Sequence, residues 1–275
     1  MIITKTPQEI AIMKKAGHML ATALQETCQA VKPGISEIEL DKLAEKSIRA
    51  QGGEPGFKKV EGYHNTLCIE TNDVVVHGIP RKYVLKEGDI VGLDCGVFLQ
   101  GFHTDMAETV RVLKAPSKAS EWLSSMGSDY KTHSYDSTEE DEVDRFLRIG
   151  KEAMWDGINQ VKAGNRVGHI SAAMQEKAEK IGGYSVVRSL VGHGVGRELH
   201  EDPEIPGYAT RPIEKTPLLK PGMTIAIEII YIMGGKEVAY RGDDDWTIVS
   251  EDGSLSAMFE RSVVVTEAGF ELITV

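Results

Sequence analysis

Stretches with a helical spacing of apolar residues alternate along this chain with short, almost wholly apolar runs. Apolar residues recur every three or four positions over residues 10–31, which predicts an amphipathic helix. Thr6 followed by Pro7 marks the start of that helix, and the Lys-Pro-Gly sequence at 32–34 ends it. A second helix is predicted from Ser36 to about residue 51.

Strands are predicted where the apolar runs are short and rich in β-branched residues. In the second half a helical stretch at 143–161 and another ending at 181–183 again precede such runs. The predicted strands cover residues 66–70, 74–77, 90–99 and 102–113 in the first half, and 184–190, 223–233, 246–250 and 260–266 in the second.

The two halves also share a sequence repeat. Residues 85–94 align without a gap with residues 219–228, so that a Leu, a Lys, a Gly and an aliphatic-then-acidic pair coincide. Two halves with helices followed by strands predict an α+β fold with pseudo-twofold symmetry. Asp94 and Glu228 occupy equivalent positions in it.

Between the halves, residues 115–142 are rich in serine and acidic residues. This composition predicts an exposed polar insertion. A regulatory role is conceivable, but a solvated loop is the favoured interpretation, since long polar insertions usually have no other role.

Composition and charge restrict the class of protein. The net charge of −11 repels phosphate backbones and argues against nucleic acid as a main partner. The three cysteines (Cys28, Cys68 and Cys95) are scattered, which argues against a disulfide framework and a cysteine-based zinc site. No signal peptide is apparent, and the longest nearly apolar run is too short to span a bilayer. We expect a cytoplasmic protein.

Carboxylates in apolar strands are the strongest chemical clue. Glu228 lies within the apolar run 225–230, and Asp94 directly follows the apolar residues 90–93. A lone buried carboxylate is costly and tends to protonate. Ion pairs would satisfy one such group, but a shared cation is the simpler explanation for several.

Asp94 and Asp105 flank a predicted hairpin beside Gly101. A hairpin centred midway between them places the two aspartates directly across from each other, with Cβ atoms about 5 Å apart. A register shift of two keeps them diagonal neighbours, whereas a shift of one separates them. Carboxylates this close need positive charge between them, which metal ions about 3.5–4 Å apart would supply.

His193, in the Gly-His-Gly-Val-Gly sequence at 192–196, and Glu260 are further candidates. The glycines alone fit a tight turn, and a phosphate loop is disfavoured because no Gly-Lys-Ser/Thr follows. Histidine with carboxylates and no thiol forms a hard site suited to divalent Mn, Fe, Co or Zn.

From residue 6 to residue 275, apart from the insertion, the sequence around these residues resembles that of type I methionine aminopeptidases, the pita-bread metallopeptidases. The resemblance implies one catalytic domain, residues 1–275, with an antiparallel sheet covered by helices. The motifs that carry it are Val-His-Gly-Ile-Pro at 76–80, Asp94 with Asp105, Gly-His-Gly-Val-Gly at 192–196, His-Glu-Asp-Pro at 200–203, Ile227-Glu228, and Ser-Leu-Ser-Ala-Met-Phe-Glu at 254–260.

By resemblance, the site holds two divalent metal ions (Co, Mn, Fe, Zn or Ni), with Asp105 and Glu260 bridging them. Glu228 would also shuttle a proton, His200 would assist the oxyanion, and His77 would orient the scissile amide. The implied metal ligands are Asp94, Asp105, His193, Glu228 and Glu260.

The resemblance also implies a methionine-binding pocket. Val60 and Leu199 stand where bulky aromatic residues are expected, which bears on the strictness of selection for methionine. Arg261 stands where histidine is usual, which bears on the surroundings of the metals. The implied substrate-binding residues are Tyr63, Cys68, His77, Leu199, His200 and Trp246.

The implied activity is removal of the initiator methionine from nascent chains when the second residue is small. A monomer is expected, with ribosome contact by analogy and no membrane or specific nucleic-acid partner. The alternatives are an Xaa-Pro aminopeptidase or prolidase-like hydrolase, a metal-free binding protein on the same scaffold, and a nonenzymatic protein with structural ion pairs.

Overall fold

The computed structural model describes residues 2–114, 140–242 and 244–275. The predicted polar insertion at 115–142 therefore lies, except for its last three residues, outside the described residues. The helices are α1 (Pro7–Ala30), α2 (Glu37–Ala50), α3 (Glu142–Ile158) and α4 (Val167–Gln175), the last continued by a π-helical segment (Glu176–Ile181), with short 3-10 turns at Phe57–Lys59 and Ile213–Lys215.

Short strands surround a few long ones. The strands are β1 (Glu54–Pro55), β2 (Leu67–Thr71), β3 (Val74–Val76), β4 (Ile90–Leu99), β5 (Phe102–Arg111), β6 (Ser185–Val186), β7 (Gly192–Gly194), β8 (Glu201–Ile205), β9 (Thr224–Ile232), β10 (Val238–Tyr240), β11 (Ile248–Ser250), β12 (Ser256–Val265) and β13 (Phe270–Leu272).

Both predicted helix starts in the first half are confirmed. The side chain of Thr6 accepts a hydrogen bond from the Glu9 backbone N–H, and the Glu9 carboxylate accepts one from the Thr6 N–H. Ser36 and Glu39 form the same reciprocal pair at the start of α2. Each capping box satisfies two N–H groups that have no partner within the helix.

The main sheet joins the two halves through β12. Its strands run in the order β1-β4-β5-β12-β9-β7-β8, with β2 on β4, β6 on β9 and β13 on β12. Strand β12 pairs antiparallel with β5 on one side and with β9 on the other. A second, three-stranded sheet has the order β10-β11-β3. The fold is thus α+β, as predicted.

The hairpin of β4 and β5 differs from the predicted direct pairing. Asp94 pairs with Ala107, and Asp105 pairs with Gly96, so the two aspartates are diagonal neighbours on one face. The cause is the turn: Gln100 and the glycine after it both have positive φ, 50° and 88°, as a two-residue type I′ loop requires. That loop shifts the register by two from the pairing centred between the aspartates.

Several strand predictions were wrong in extent. The strand predicted at 184–190 is reduced to β6, the one predicted at 102–113 ends at Arg111, and the one predicted at 246–250 begins at Ile248. The strand predicted at 260–266 begins earlier, at Ser256. The unpredicted strands β1, β7, β8, β10 and β13 have at most five residues, which is too short for a clear alternation.

The sequence repeat corresponds to a repeat of hydrogen bonds. The Gly34 N–H donates to the Leu85 carbonyl at 2.9 Å, and the Gly164 N–H donates to the Leu219 carbonyl at 3.3 Å. Both glycines follow a helix with φ of 97° and 86°, a region that favours glycine. Each half therefore ties the end of its first helix to the turn before its long strand in the same way.

The helices cover one face of the main sheet. Alternating residues of β4 and β5 pack against α1 and α2, and alternating residues of β9 and β12 pack against α3 and α4. The remaining residues of those strands alternate onto the opposite face of the sheet, away from these helices. Among the helices within the described ranges, none is long and apolar enough to cross a bilayer.

Candidate metal centre and substrate pocket

Alternation along the long strands places four carboxylates on the face opposite the helices. In β4 the odd-numbered residues Leu93 and Cys95 pack in the helix-side core, so Asp94 points the other way. In β9 and β12 the odd-numbered residues again belong to the helix-side core, which leaves Glu228 and Glu260 on the opposite face. In β5 the even-numbered residues face the helices, which leaves Asp105 with the other three.

Strand register then brings these carboxylates together. Asp94 pairs with Ala107, Ala107 pairs with Glu260, and Glu260 pairs with Glu228, so one row crosses four strands. Asp105 lies two residues from Ala107 on the same face of β5. The small side chain of Ala107 leaves the space between the acids open.

His193 completes the cluster from β7. It pairs with Ala226, two residues before Glu228. Its Nε2 lies 3.9 Å from Asp105 Oδ2, and ligand atoms of His193, Asp105 and Glu260 all lie within 4.8 Å of one another. Its Nδ1 lies 2.9 Å from the Gly194 carbonyl oxygen, which favours the tautomer that leaves Nε2 free to bind a cation.

The cluster is strongly biased toward its uncharged forms. Burial, followed by the charge of neighbouring carboxylates, raises the pKa of Asp94, Asp105 and Glu260 well above the usual range. Burial raises the pKa of Glu228 to about 7. Burial and the nearby His200 lower the pKa of His193 to about 4, so its imidazole is neutral at pH 7.

These residues fit a divalent cation. Asp94 Oδ1 and Glu260 Oε1 are buried and have no hydrogen-bond partner among the described residues. A buried carboxylate oxygen without a partner is costly unless positive charge compensates it. Carboxylates with one neutral imidazole are the donors that divalent transition metals accept.

Two further predicted histidines border the cluster. The ring of His200 meets that of His193 edge to face, with centroids 4.4 Å apart. His77 has φ of 56°, a conformation that a residue with a side chain rarely adopts and that its surroundings must impose. Burial lowers the pKa of both histidines, that of His77 to about 4.

A cavity of about 300 Å³ opens onto the carboxylates. Its apolar wall includes Phe57, which the sequence analysis did not single out because its only signal was an apolar side chain near the predicted pocket residues. The rings of Tyr63 and Trp246 meet edge to face at 5.1 Å. All the predicted pocket residues line this cavity, namely Tyr63, Cys68, His77, Leu199, His200 and Trp246.

Arg261, which stands after Glu260 where histidine is usual, lies on the helix-side face of the sheet. It is fully buried and pairs with Glu108, which in turn accepts a hydrogen bond from Lys151 at 2.7 Å. Its guanidinium also donates to the backbone carbonyls of Ala107 and Glu260. Arg261 therefore supports the strands behind the carboxylates, and its charge opposes the rise in the pKa of Glu260.

The matching family profile is that of metallopeptidase family M24, and it covers residues 11–267. The chain belongs to this family. Methionine aminopeptidase 1 of Bacillus subtilis is 40% identical to this M24 metallopeptidase over 274 residues, which cover 100% of this chain and 99% of the relative. Methionine aminopeptidase of Clostridium perfringens is 41% identical, with the same coverage.

Solved structures agree with these relatives. The crystal structure of methionine aminopeptidase from Thermotoga maritima matches this M24 metallopeptidase with a TM-score of 0.85 and 37% identity, and covers 100% of this chain and 99% of that one. The Xaa-Pro dipeptidase of Bacillus anthracis matches with a TM-score of 0.70 and 24% identity, and this chain covers only 61% of it. The second likeness shows a shared fold and nothing more.

Proposed function

We propose that this M24 metallopeptidase is a methionine aminopeptidase, which hydrolyses the first peptide bond of a polypeptide and releases its initiator methionine when the second residue is small. The observation that carries the proposal is the row of carboxylates that ends at an apolar cavity. A free amine and a short apolar side chain fit that combination. The homologues named methionine aminopeptidase support the same conclusion.

The residues that would hold the metal are Asp94, Asp105, His193, Glu228 and Glu260. These five side chains would be enough to hold two divalent ions, and cobalt, manganese, iron, zinc and nickel all accept such donors. Bound cations supply positive charge that acidifies water and polarises a carbonyl group.

Glu228 is the proposed proton carrier. It lies at one end of the carboxylate row, beside the cavity, where a carboxylate can exchange a proton with water and with a bound substrate. We assign it the transfer of a proton from the attacking water to the leaving amine. Asp94, its equivalent in the first half, is assigned metal binding alone.

His77 and His200 are the proposed substrate contacts. Both rings line the cavity, and the lowered pKa of each keeps the ring neutral at pH 7, with one N–H donor and one acceptor nitrogen. An N–H of His200, next to His193, can donate to the oxygen that becomes negative as the carbonyl is attacked. His77, on the side of Trp246, can hold the scissile amide in position.

Selection for methionine is assigned to the apolar wall of the cavity. Tyr63 is fixed there because its hydroxyl donates to the Leu67 carbonyl at 2.7 Å. Leu199 and Val60 are smaller than the aromatic residues expected at their positions, so the pocket is expected to accept some other apolar side chains, including branched ones such as that of leucine. Discrimination of about 10- to 200-fold per missing methylene is typical of such pockets.

Turnover of a Met-Gly-Met peptide by the metal-loaded protein tests the proposal. Asp94→Asn should abolish turnover and lower metal content, since it removes charge with little change of shape. Asp41→Asn is the matched control, because buried Asp41 uses only Oδ1 to accept the Thr66 and Leu67 N–H groups and asparagine retains that oxygen. Full activity of Asp94→Asn would refute the assignment.

An Ala-Pro peptide tests the proline-directed alternative. A methionine aminopeptidase should cleave Met-Gly-Met and leave Ala-Pro intact under the same metal conditions. Faster release from Ala-Pro would favour an Xaa-Pro aminopeptidase instead. Repeating both assays with single defined metals would identify which ions support turnover.

A further inference from the structure

Glu70 is a buried carboxylate just outside the proposed metal centre. It lies on β2 and is 1% exposed, and neither of its carboxylate oxygens has a hydrogen-bond partner among the described residues. None of the motifs discussed above includes it. A carboxylate in this position is expected to have a compensating partner.

Strand register places Glu70 beside two other potential ligands. Cys68 pairs directly with Asp94, and Glu70 pairs with Gly92, so the three side chains share one face of the sheet. The space for Glu70 depends on Gly92: a Cβ at that position would lie 3.0 Å from Glu70 Cβ and 3.1 Å from its Oε2. The carboxylate thus occupies the space left by a missing side chain.

The three potential ligands are already close together. One ligand atom each from Cys68, Glu70 and Asp94 lies within 4.8 Å of the other two. Ligands bound to one zinc ion at about 2.0–2.3 Å are separated by somewhat less than this, and rotation of the side chains covers the difference.

We propose that Cys68, Glu70 and Asp94 form an additional cation site at the edge of the metal centre, selective for a borderline-soft divalent ion such as Zn²⁺. A thiolate with two carboxylates favours such ions, whereas the all-oxygen and imidazole donors of the main centre also accept Mn²⁺. Binding there displaces the thiol proton, because a coordinated thiol is held as the thiolate. The scattered cysteines had argued against any cysteine-based zinc site.

The site has a consequence for the proposed activity, and this part rests on that function. Cys68 lines the cavity assigned to the methionine side chain, and Asp94 is shared with the metal centre. An ion bound by both changes the charge at the floor of the cavity. Excess Zn²⁺ should therefore inhibit turnover supported by Mn²⁺, and Cys68→Ser should relieve that inhibition.

Titration of the metal-free protein with Co²⁺ tests for cysteine coordination, since a sulfur-to-cobalt charge-transfer band appears in the near ultraviolet only when a thiolate binds the ion. The native protein and Cys28→Ser, the control, should show the band. Cys68→Ser should abolish it, and Glu70→Gln should abolish it or shift it to much higher Co²⁺ concentration. A native protein without the band, or a band that survives Cys68→Ser, would overturn the proposal.

Zinc stoichiometry separates this proposal from the main one. Cys68→Ser and Glu70→Gln, checked for native thermal unfolding, should each bind one ion fewer than the native protein and Cys28→Ser. Equal stoichiometry in all four would refute the additional site while leaving the main centre intact. Loss of zinc in Asp94→Asn with no loss in Cys68→Ser or Glu70→Gln would confine binding to the main centre and overturn the proposal.

Discussion

The metal-free protein should become more stable when Glu228 is changed to glutamine, although the same change should abolish activity. Folding raises the pKa of Glu228 from 4.5 to about 7. The stability that this group contributes is therefore fully present below pH 4.5 and is lost as the pH rises through 7. Glutamine keeps the shape of the side chain and does not ionise, so it avoids this loss of stability.

The size of the stability loss follows from the pKa shift of Glu228. Each pKa unit corresponds to about 1.4 kcal/mol, so an ionised Glu228 costs about 3 kcal/mol well above pH 7. About 1 kcal/mol of this loss falls between about pH 6.5 and 8.5, by integration of the same titration. Asp94, Asp105 and Glu260 have raised pKa values as well, so they add to the loss with the same sign.

Histidines act with the opposite sign, mainly at the low end of this pH range. The pKa of His77, His193 and His200 is lowered on folding, so the stability they contribute is present above pH 6.5 and is lost on acidification. At pH 6.5 a histidine in the unfolded chain is still about half protonated, so these histidines add some stability between about pH 6.5 and 7.5. The native protein and Glu228→Gln contain the same histidines, so this contribution cancels in the difference between the two proteins.

Urea unfolding followed by circular dichroism, in chelator and at several pH values from 6.5 to 8.5, measures the effect. The native protein should lose stability as the pH rises, and Glu228→Gln should lose about 1 kcal/mol less over that range. Adding metal should reverse the order, because the native protein has the complete ligand set. Parallel pH dependences for the two metal-free proteins would show that Glu228 is not held in an unfavourable charged state.

Three smaller predictions concern the pocket, the substrate contacts and the helix packing. Leu199→Phe should narrow the cavity and lower kcat/KM for a leucine-initiated peptide relative to a methionine-initiated one about tenfold, and equal losses for both would contradict a specificity role. His77→Ala should lower kcat by about 10²- to 10⁴-fold at unchanged metal content, whereas loss of metal would indicate a ligand instead. Gly17→Ala should destabilise the protein although alanine favours helix by about 1 kcal/mol, because its Cβ would overlap the backbone oxygen of Ile273; chemical denaturation of the variant checks the sign.

Alternation made the clustering of the candidate carboxylates largely predictable from sequence. Glu228 interrupts an apolar run whose other residues are buried, so the sequence alone signals a special role. Glu70 meets the same criterion within Leu67–Thr71 and could have been found in the same way. It was missed because it matches none of the family motifs. The diagonal placement of Asp94 and Asp105 depended on strand register, which the turn at Gln100 determines and the apolar pattern alone does not.

Other features depended on contacts that no local pattern reveals. Because Arg261 replaces the histidine usual at its position, the sequence suggested altered surroundings of the metals. As an odd-numbered residue of β12, however, Arg261 points to the opposite face of the sheet, where it forms a buried triad with Glu108 and Lys151. The short strand that carries His193 contains two glycines and has no alternation to detect. Its place in the sheet is fixed by pairing with β9, a contact between residues more than thirty positions apart.

The separation of the two sheet faces connects stability with catalysis in this protein. The helix-side face buries the apolar residues that stabilise the fold, and the other face gathers carboxylates that oppose one another until positive charge is present. Ligand binding to the folded state alone adds about 2.7 kcal/mol when the free ligand is at 100 times its dissociation constant. Cation binding should therefore recover stability comparable to the loss calculated for Glu228. Because the unfavourable charge lies at the reacting groups, substitutions that relieve it should stabilise the metal-free fold and remove the activity together.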